Sequence, residues 1–278
     1  MKCRRHSQRQ TAVSALCGTA VVIGWLLVAV LADLLAPLDP LKSMTPLAPP
    51  GATGEGGVTF WLGTDLLGRD ILSRLIYGTR TVVVISAVAT LSAYVLGVGA
   101  GLFAGYVRGF ADTALSFLAN VMLSFPVLVL YIVVITAIGS SAANVVLAIA
   151  FGSAPVIFRV TRALTIDISK RDFVTVAIGQ GEARWRILAS DILPNAAGPL
   201  TAGMCLRFGY SAVAVGALGF LGLGPPPPTP DWGSVISDGR GLAIVYPHLI
   251  VFPCLAISSL MLAMSLVADG LRQLSLAR

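Results

Sequence analysis

The chain has 278 residues, of which 56% are hydrophobic and 12% charged, and its mean hydropathy is +0.87. A soluble domain carries roughly 25% charge, so this composition excludes an ordinary soluble protein and specifies an integral membrane one. The formal net charge of +6 would suit nucleic acid, but its distribution along the chain is that of a membrane topology and implies no nucleic-acid partner.

A membrane span needs about 20 predominantly apolar residues. Six segments qualify, at about 13–36, 81–107, 113–138, 142–165, 196–222 and 248–270, which predicts an all-α protein of about six transmembrane helices. Residues 1–12 form a short N-terminal arm and 271–278 a C-terminal one. The first apolar run, about 24 residues long, exceeds the roughly 7–15 of a signal-peptide core and is read as a retained span.

With the N-terminus in the cytoplasm, the inner side holds Lys2, Arg4, Arg5, Arg9, Arg108, Arg159, Arg162, Lys170, Arg171, Arg184, Arg186, Arg272 and Arg278. The outer side holds only Lys42, Arg69, Arg74, Arg80 and Arg240. This excess is the positive-inside signature, and it places both termini in the cytoplasm. Cys3, Cys17, Cys205 and Cys254 form no CxxC pair, and His6 and His248 stand far apart, so the sequence offers no metal site and no disulfide framework.

Residues 37–80 form an outer segment rich in Pro, Gly and Thr. In it "LGTDLLGRDILSRLIYGTR" (62–80) opens on turn-forming groups. Its second half, Asp70 to Arg80, reads as a short amphipathic helix at the membrane interface, held by basic side chains that snorkel. In the second span Ala89, Ala93, Gly97, Gly101 and Gly105 recur every four residues. Residues so spaced share one helix face, and small ones let two helices approach closely in lipid. The expectation is a tight helix contact at Gly97, Gly101 and Gly105.

Pro126, Pro155 and Pro253 fall inside spans three, four and six, where kinks lining a shared interface or cavity are expected. Arg207 falls inside span five. A charge near the bilayer centre costs about 2.5–3.5 kcal/mol, so it either faces a protein- or water-lined path or snorkels; the path is preferred. The outer loop 223–247 contains four consecutive prolines, expected to hold an extended, stiff polyproline geometry.

Residues 166–195 break the apolar pattern with Asp167, Lys170, Arg171, Asp172, Glu182, Arg184, Arg186 and Asp191. Such a segment stays out of lipid. Ser169 and Asp172 have capping-box spacing and predict a helix from there to about Ile178, broken by Gly179 and Gly181. In a second helix Trp185, Leu188, Ala189 and Ile192 would form one apolar face, with Arg184 and Arg186 pointing elsewhere, and Pro194 would stop it. A helix, a glycine turn and a second amphipathic helix suit a groove on a partner protein; by physics alone they suit lipid headgroups equally.

This segment resembles the cytoplasmic coupling loop of ABC-importer permeases: E-A-A, three residues, G, nine residues, I-x-L-P. Thr175, Val176 and Ala177 stand at the E-A-A positions, Gly181 at the glycine, Asp191 at the isoleucine, and Leu193-Pro194 match. Thr175 replaces the usual glutamate. Together with "GFLGLG" (219–224), "PPTPDWG" (227–233), "ADGLR" (268–272) and the 62–80 motif, the chain resembles the second permease of dipeptide, oligopeptide and nickel importers.

That resemblance implies a type I importer permease fold in a bacterial inner membrane, with the five helices of 81–270 as its core. It implies a second homologous permease, one or two ATPase subunits at the coupling loop, and an extracytoplasmic solute-binding protein. The coupling residues it points to are Asp172, Ala177, Gly181, Glu182, Arg184, Trp185, Leu193 and Pro194. ATP and Mg would be bound by the partner ATPases. In this chain none of Lys2, Lys42 and Lys170 ends a G-x-x-x-x-G-K-[ST] phosphate loop. The solute implied is most readily a di- or oligopeptide, with nickel or a metal chelate as the alternative.

Two other classes compete. An intramembrane hydrolase would use one of Ser86, Ser92, Ser116, Ser124 or Ser211, but a serine nucleophile needs a neighbouring base, and the only histidine near a span is His248. A stand-alone secondary transporter would show inverted repeats and intramembrane acids; no repeat is evident, and Asp33 and Asp269 lie at span ends.

Overall fold

The computed structural model describes residues 2–54 and 57–276, with side chains described for 13–54 and 57–274. Expectations for Lys2, Arg4, Arg5, Arg9 and Arg278 concern side chains outside the described residues. In lipid the backbone must satisfy its own hydrogen bonds, which leaves helices as the spanning form for an open chain. The helices are α1 (Lys2–Val30), α2 (Ala32–Leu35), α3 (Ile71–Val107), α4 (Gly109–Leu123), α5 (Val127–Ile138), α6 (Ala142–Ile168), α7 (Asp172–Gly179), α8 (Arg184–Arg186), α9 (Leu193–Phe220), α10 (Trp232–Gly239) and α11 (His248–Leu276). Strands β1 (Ala52–Thr53) and β2 (Thr59–Phe60) pair antiparallel in the 37–70 segment.

Helices α1, α3, α6, α9 and α11 are long and apolar enough to cross a membrane. The sixth passage is the pair α4 and α5, which meet at 92°. Its course is read from what it touches on α6. Asp112 lies against Arg162, Tyr131 against Ser153, and Ile138 against Asn144, so the pair climbs the length of α6 and is one broken span. The expected kink in 113–138 is thus a sharp elbow at Ser124–Pro126. Proline lacks an N–H and pushes the preceding residue out of helical geometry, and Pro126 itself is extended (φ −57°, ψ 125°).

Six alternating passages bring residues 37–70 and 221–247 to one end of the bundle. The two terminal arms and residues 166–195 share the other end. Helix α1 follows α11, with Trp25 Nε1 donating to Ser259 Oγ at 3.0 Å.

The seam between α3 and α6 is the most extensive contact between two helices. A methyl group added at Gly97 would lie 2.7 Å from Ile157 Cβ, at Gly101 2.6 Å from Thr161 Cβ, and at Gly105 2.8 Å from Thr165 Cβ. Ala89 and Ala93 continue the stripe, fully buried. With no hydrophobic drive between helices in lipid, such close approach supplies the van der Waals contact that holds them.

The outer segment differs from expectation in three ways. The amphipathic piece 70–80 is not a separate interfacial helix: it forms the first turns of α3, which runs unbroken for 37 residues. No proline falls between Ile71 and Val107 to interrupt it, and the Asp70 side chain caps it by accepting from Ser73 N. Arg74 does not snorkel. Only 4% exposed, it donates to Asp65 and to Asp238, while Arg69 donates to the same two carboxylates at 2.7 and 2.8 Å. Finally, the tetraproline run is not a continuous polyproline helix, because it turns at a cis Pro227–Pro228 bond, with Thr229 N donating to Pro226 O.

Beyond that turn, Asp231 and Trp232 are fully buried. Trp232 Nε1 donates to Leu75 O at 3.0 Å, and its ring stands edge-on to Trp25 with centroids 5.1 Å apart. Asp231 Oδ1 accepts from Gly233 N and Ser234 N, capping α10; burial pushes its carboxyl above the ordinary value. The loop is therefore a packed cap on α1, α3 and α9.

Two stability predictions follow from these contacts. Gly101→Val should cost about 1–3 kcal/mol by overpacking, read as a lower melting temperature in detergent, whereas Gly99→Ala, which meets nothing within 4 Å, should melt with the parent. Arg74→Met removes one of the two guanidiniums on Asp65 and leaves Arg69 as its partner, so it should cost about 1–3 kcal/mol, read as a lower melting temperature.

Candidate functional site

Two regions carry chemistry that packing alone does not require: the charged segment at one end of the bundle, and a cavity at the elbow of the broken span.

In the charged segment, Ser169 does not cap α7. It closes α6, its Oγ donating to Ile166 O at 3.0 Å, and the N-cap of α7 is Arg171. Helix α7 then reaches Gly179, which stays helical; the break falls at Gly181. That residue has φ +76°, a left-handed conformation that costs glycine nothing. Gly181 N donates to Ile178 O and Glu182 N to Ala177 O, the paired bonds of a Schellman cap. Asp172, in the first turn of α7, sits where a carboxylate complements the helix dipole.

The second helix departs from the predicted face. Residues Ile187–Ile192 form a π-turn between α8 and α9, closing i to i+5 rather than i to i+4. Five-residue spacing therefore puts Ile187 and Ile192 together, buried with Ile168, Val174, Ala196 and Leu200. Trp185 and Ala189 face outward instead, Trp185 being 72% exposed. Nor does Pro194 stop the helix. Residues Arg184–Phe220 form one continuous 37-residue rod, because a proline ring clashes with the carbonyl one turn back and the wide π-turn before Pro194 relieves that crowding.

Of the residues singled out from sequence, Ala177 is half-buried and faces inward, while Asp172, Gly181, Arg184, Trp185, Leu193 and Pro194 are exposed. Glu182, half-buried, lines a 600 Å³ groove with Tyr106, Arg108, Lys170 and Arg184. Val176 and Ile178 add 57% and 54% exposed apolar side chains to Trp185. The segment therefore exposes apolar and charged side chains together.

The second region is a 380 Å³ cavity where α5, α6 and α9 meet the elbow. Arg207 lines it and is half-buried, its guanidinium 5.7 Å from the Tyr210 ring centroid. Tyr131 and Ser153, whose hydroxyls are 3.3 Å apart, line it too. Sequence reasoning found Arg207 but not these hydroxyls. It also missed the Asp65–Arg69–Arg74–Asp238 cluster, although all four residues stand in quoted motifs or beside them; pairing across 164 residues leaves no local signal. Ser211, one of the serines weighed as a nucleophile, is buried against the Thr90 hydroxyl at 3.1 Å rather than against a base.

An alternating helical bundle with a charged helix–turn–helix at one end and a mainly apolar cavity holding an arginine within it suits a membrane transport permease. The family model "Binding-protein-dependent transport system inner membrane component" matches residues 97–278, more than half of the chain, and the chain belongs to that family. It is an inner-membrane component with the all-helical type I permease fold of ABC importers.

Among its relatives is the dipeptide transport system permease protein DppC of Haemophilus influenzae, 40% identical over 260 residues, covering 93% of this chain and 88% of that protein. The DppC protein of Alkalihalophilus pseudofirmus is 33% identical over 258 residues, or 93% and 84% of the two chains. The glutathione transport system permease protein GsiD of Pectobacterium atrosepticum is 38% identical over 212 residues, or 76% and 70%.

The buried and exposed faces of the charged segment make opposite predictions. Ile192→Asp should place a charge in the apolar cluster and lower the yield of folded protein severalfold in size-exclusion chromatography. Trp185→Ala, removing a side chain that touches solvent, should leave yield and melting temperature unchanged within about 0.5 kcal/mol.

Proposed function

We propose that this chain is one permease subunit of an ATP-driven importer of di- or oligopeptides, forming the path together with a second, homologous permease. The observation that carries the reading is the end surface of α7 and α8. Val176, Ile178 and Trp185 are exposed on a segment that also exposes Arg184, Arg186 and Asp172, and the same backbone continues unbroken through the membrane as α9.

A mixed apolar and charged patch on a rigid base suits a groove on a partner protein. An ATPase subunit is the partner this reading requires, since the chain contains no phosphate loop of its own. ATP and Mg would be held by that partner, and this chain would perform no hydrolysis. The excess of Lys and Arg around this end supports a cytoplasmic placement for it and for both termini. The opposite end, capped by the Trp232 loop and the ionic cluster, would then receive solute from an extracytoplasmic binding protein. Peptide as cargo is supported by the names of the dipeptide and glutathione permeases to which the chain is similar.

In the reconstituted transporter, Trp185→Ala should weaken ATPase association at least about tenfold, as loss of an interface tryptophan does, and lower ATP-driven uptake in proportion. Deleting 172–194 should abolish uptake while the ATPase subunits still hydrolyse ATP. Undiminished uptake in the deletion variant would refute the coupling role.

A further inference from the structure

The arginines of the bundle divide into two groups. Arg69, Arg74, Arg80 and Arg162 each hold a carboxylate of this chain, namely Asp65, Asp238, Asp33 or Asp112. Arg207 holds none among the described residues, and neither do Arg108, Arg159, Arg171, Arg184, Arg186 and Arg240; the Tyr210 ring lies beside Arg207, with Tyr94 and Tyr131 within reach of its charge. Yet Arg207 stands midway along α9, 14 residues from Leu193 and 13 from Phe220, which is about 20 Å from either end at 1.5 Å per residue. A guanidinium at that depth costs about 2.5–3.5 kcal/mol unless water or an anion meets it.

Its surroundings narrow the anion. The cavity of 380 Å³ falls within the roughly 300–1,000 Å³ of small-molecule sites. Leu128, Val156 and Val213 make its wall mainly apolar, and its other polar side chains are Tyr210 and the paired hydroxyls of Tyr131 and Ser153. A guanidinium presents a planar fork that matches a carboxylate in two parallel bonds, and two hydroxyls can donate to the lone pairs left over. No second cation lines the cavity, as a doubly charged phosphate would demand, and the apolar wall suits side chains flanking the carboxylate.

We propose that Arg207, with Tyr131 and Ser153, forms a carboxylate-binding subsite within the path, which holds the C-terminal carboxylate of a peptide in transit. This inference rests on the reading of the chain as a peptide permease and adds a specificity-determining residue to it.

The test uses the complete transporter in proteoliposomes, with binding protein pre-loaded to equal occupancy with a dipeptide or with its C-terminal amide. The parent complex should import the free acid, and Arg207→Gln should lower that uptake about tenfold, the worth of one charge-assisted bond. Uptake of the amide should stay within about twofold, the size of change expected where no bond is lost. Arg207→Lys should retain part of the free-acid uptake, and Arg207→Glu should invert the preference toward the amide.

Equal losses on both cargoes, as expected if Arg207 instead pairs with an acidic residue of the second permease, would overturn the subsite, as would uptake unaffected by any of the three changes. A parent complex that imports neither cargo would refute the peptide reading itself, an outcome visible before any variant is compared.

Discussion

The seam between α3 and α6 leaves no room for one methyl group at Gly97, Gly101 or Gly105, and the rest of the bundle is arranged around that closeness. Lipid tails are as apolar as the helices they touch, so burial of leucine and valine drives little association there. Contact area gained by backbone approach does the holding instead. Once α3 and α6 are fixed, α4 and α5 can lean on α6, with Arg162 gripping Asp112. Helix α9 can join α3 through Thr90–Ser211 and Tyr94–Leu200 O. The exposed valines, leucines and phenylalanines on the outside of the bundle are then the lipid-facing side of the same design.

The two ends are built on different principles. At one, a buried ionic cluster and the capped Trp232 loop tie α1, α3, α9 and α10 together, with Arg69, Arg74, Asp238 and Trp232 hydrogen-bonded within the chain. At the other, α7 and the π-turn are anchored on one face by Val174, Ile187 and Ile192 and leave the opposite face open. A closed end and an open one, joined by continuous helices, give the molecule a fixed polarity that its apolar middle lacks.

Much of this was legible in the sequence because lipid imposes simple rules. Length and apolarity located the spans, four-residue spacing located the glycine seam, and eight charges between 165 and 195 identified a segment that stays out of lipid. What stayed hidden was whatever depends on backbone detail or distant pairing. The π-turn rotates the faces beyond Arg186, so helical periodicity put Trp185 and Ile192 on one face, whereas Trp185 is exposed and Ile192 buried. Pro194 reads as a stop only if the turn before it is tight. Pro126 announced a kink but not its 92° angle, which is set by how the two halves lie on α6. Arg74 looked like a snorkelling cation because its carboxylates, Asp65 and Asp238, come from a preceding turn and from a loop 164 residues away.

The unbroken rod from Arg184 to Phe220 also has a mechanical meaning. At 1.5 Å per residue, 37 residues make a stiff element about 55 Å long, and a stiff element conveys tilt rather than absorbing it. Its far tip is clamped by α10, since a methyl group on Gly219 would meet Asp231 Oδ1 and one on Gly233 would meet Gly216 O. Force applied beside Trp185 would therefore act on a lever whose fulcrum lies at the opposite membrane surface. Arg207, 13 residues from Phe220 where Trp185 is 35, would move by about a third of the displacement applied at the end.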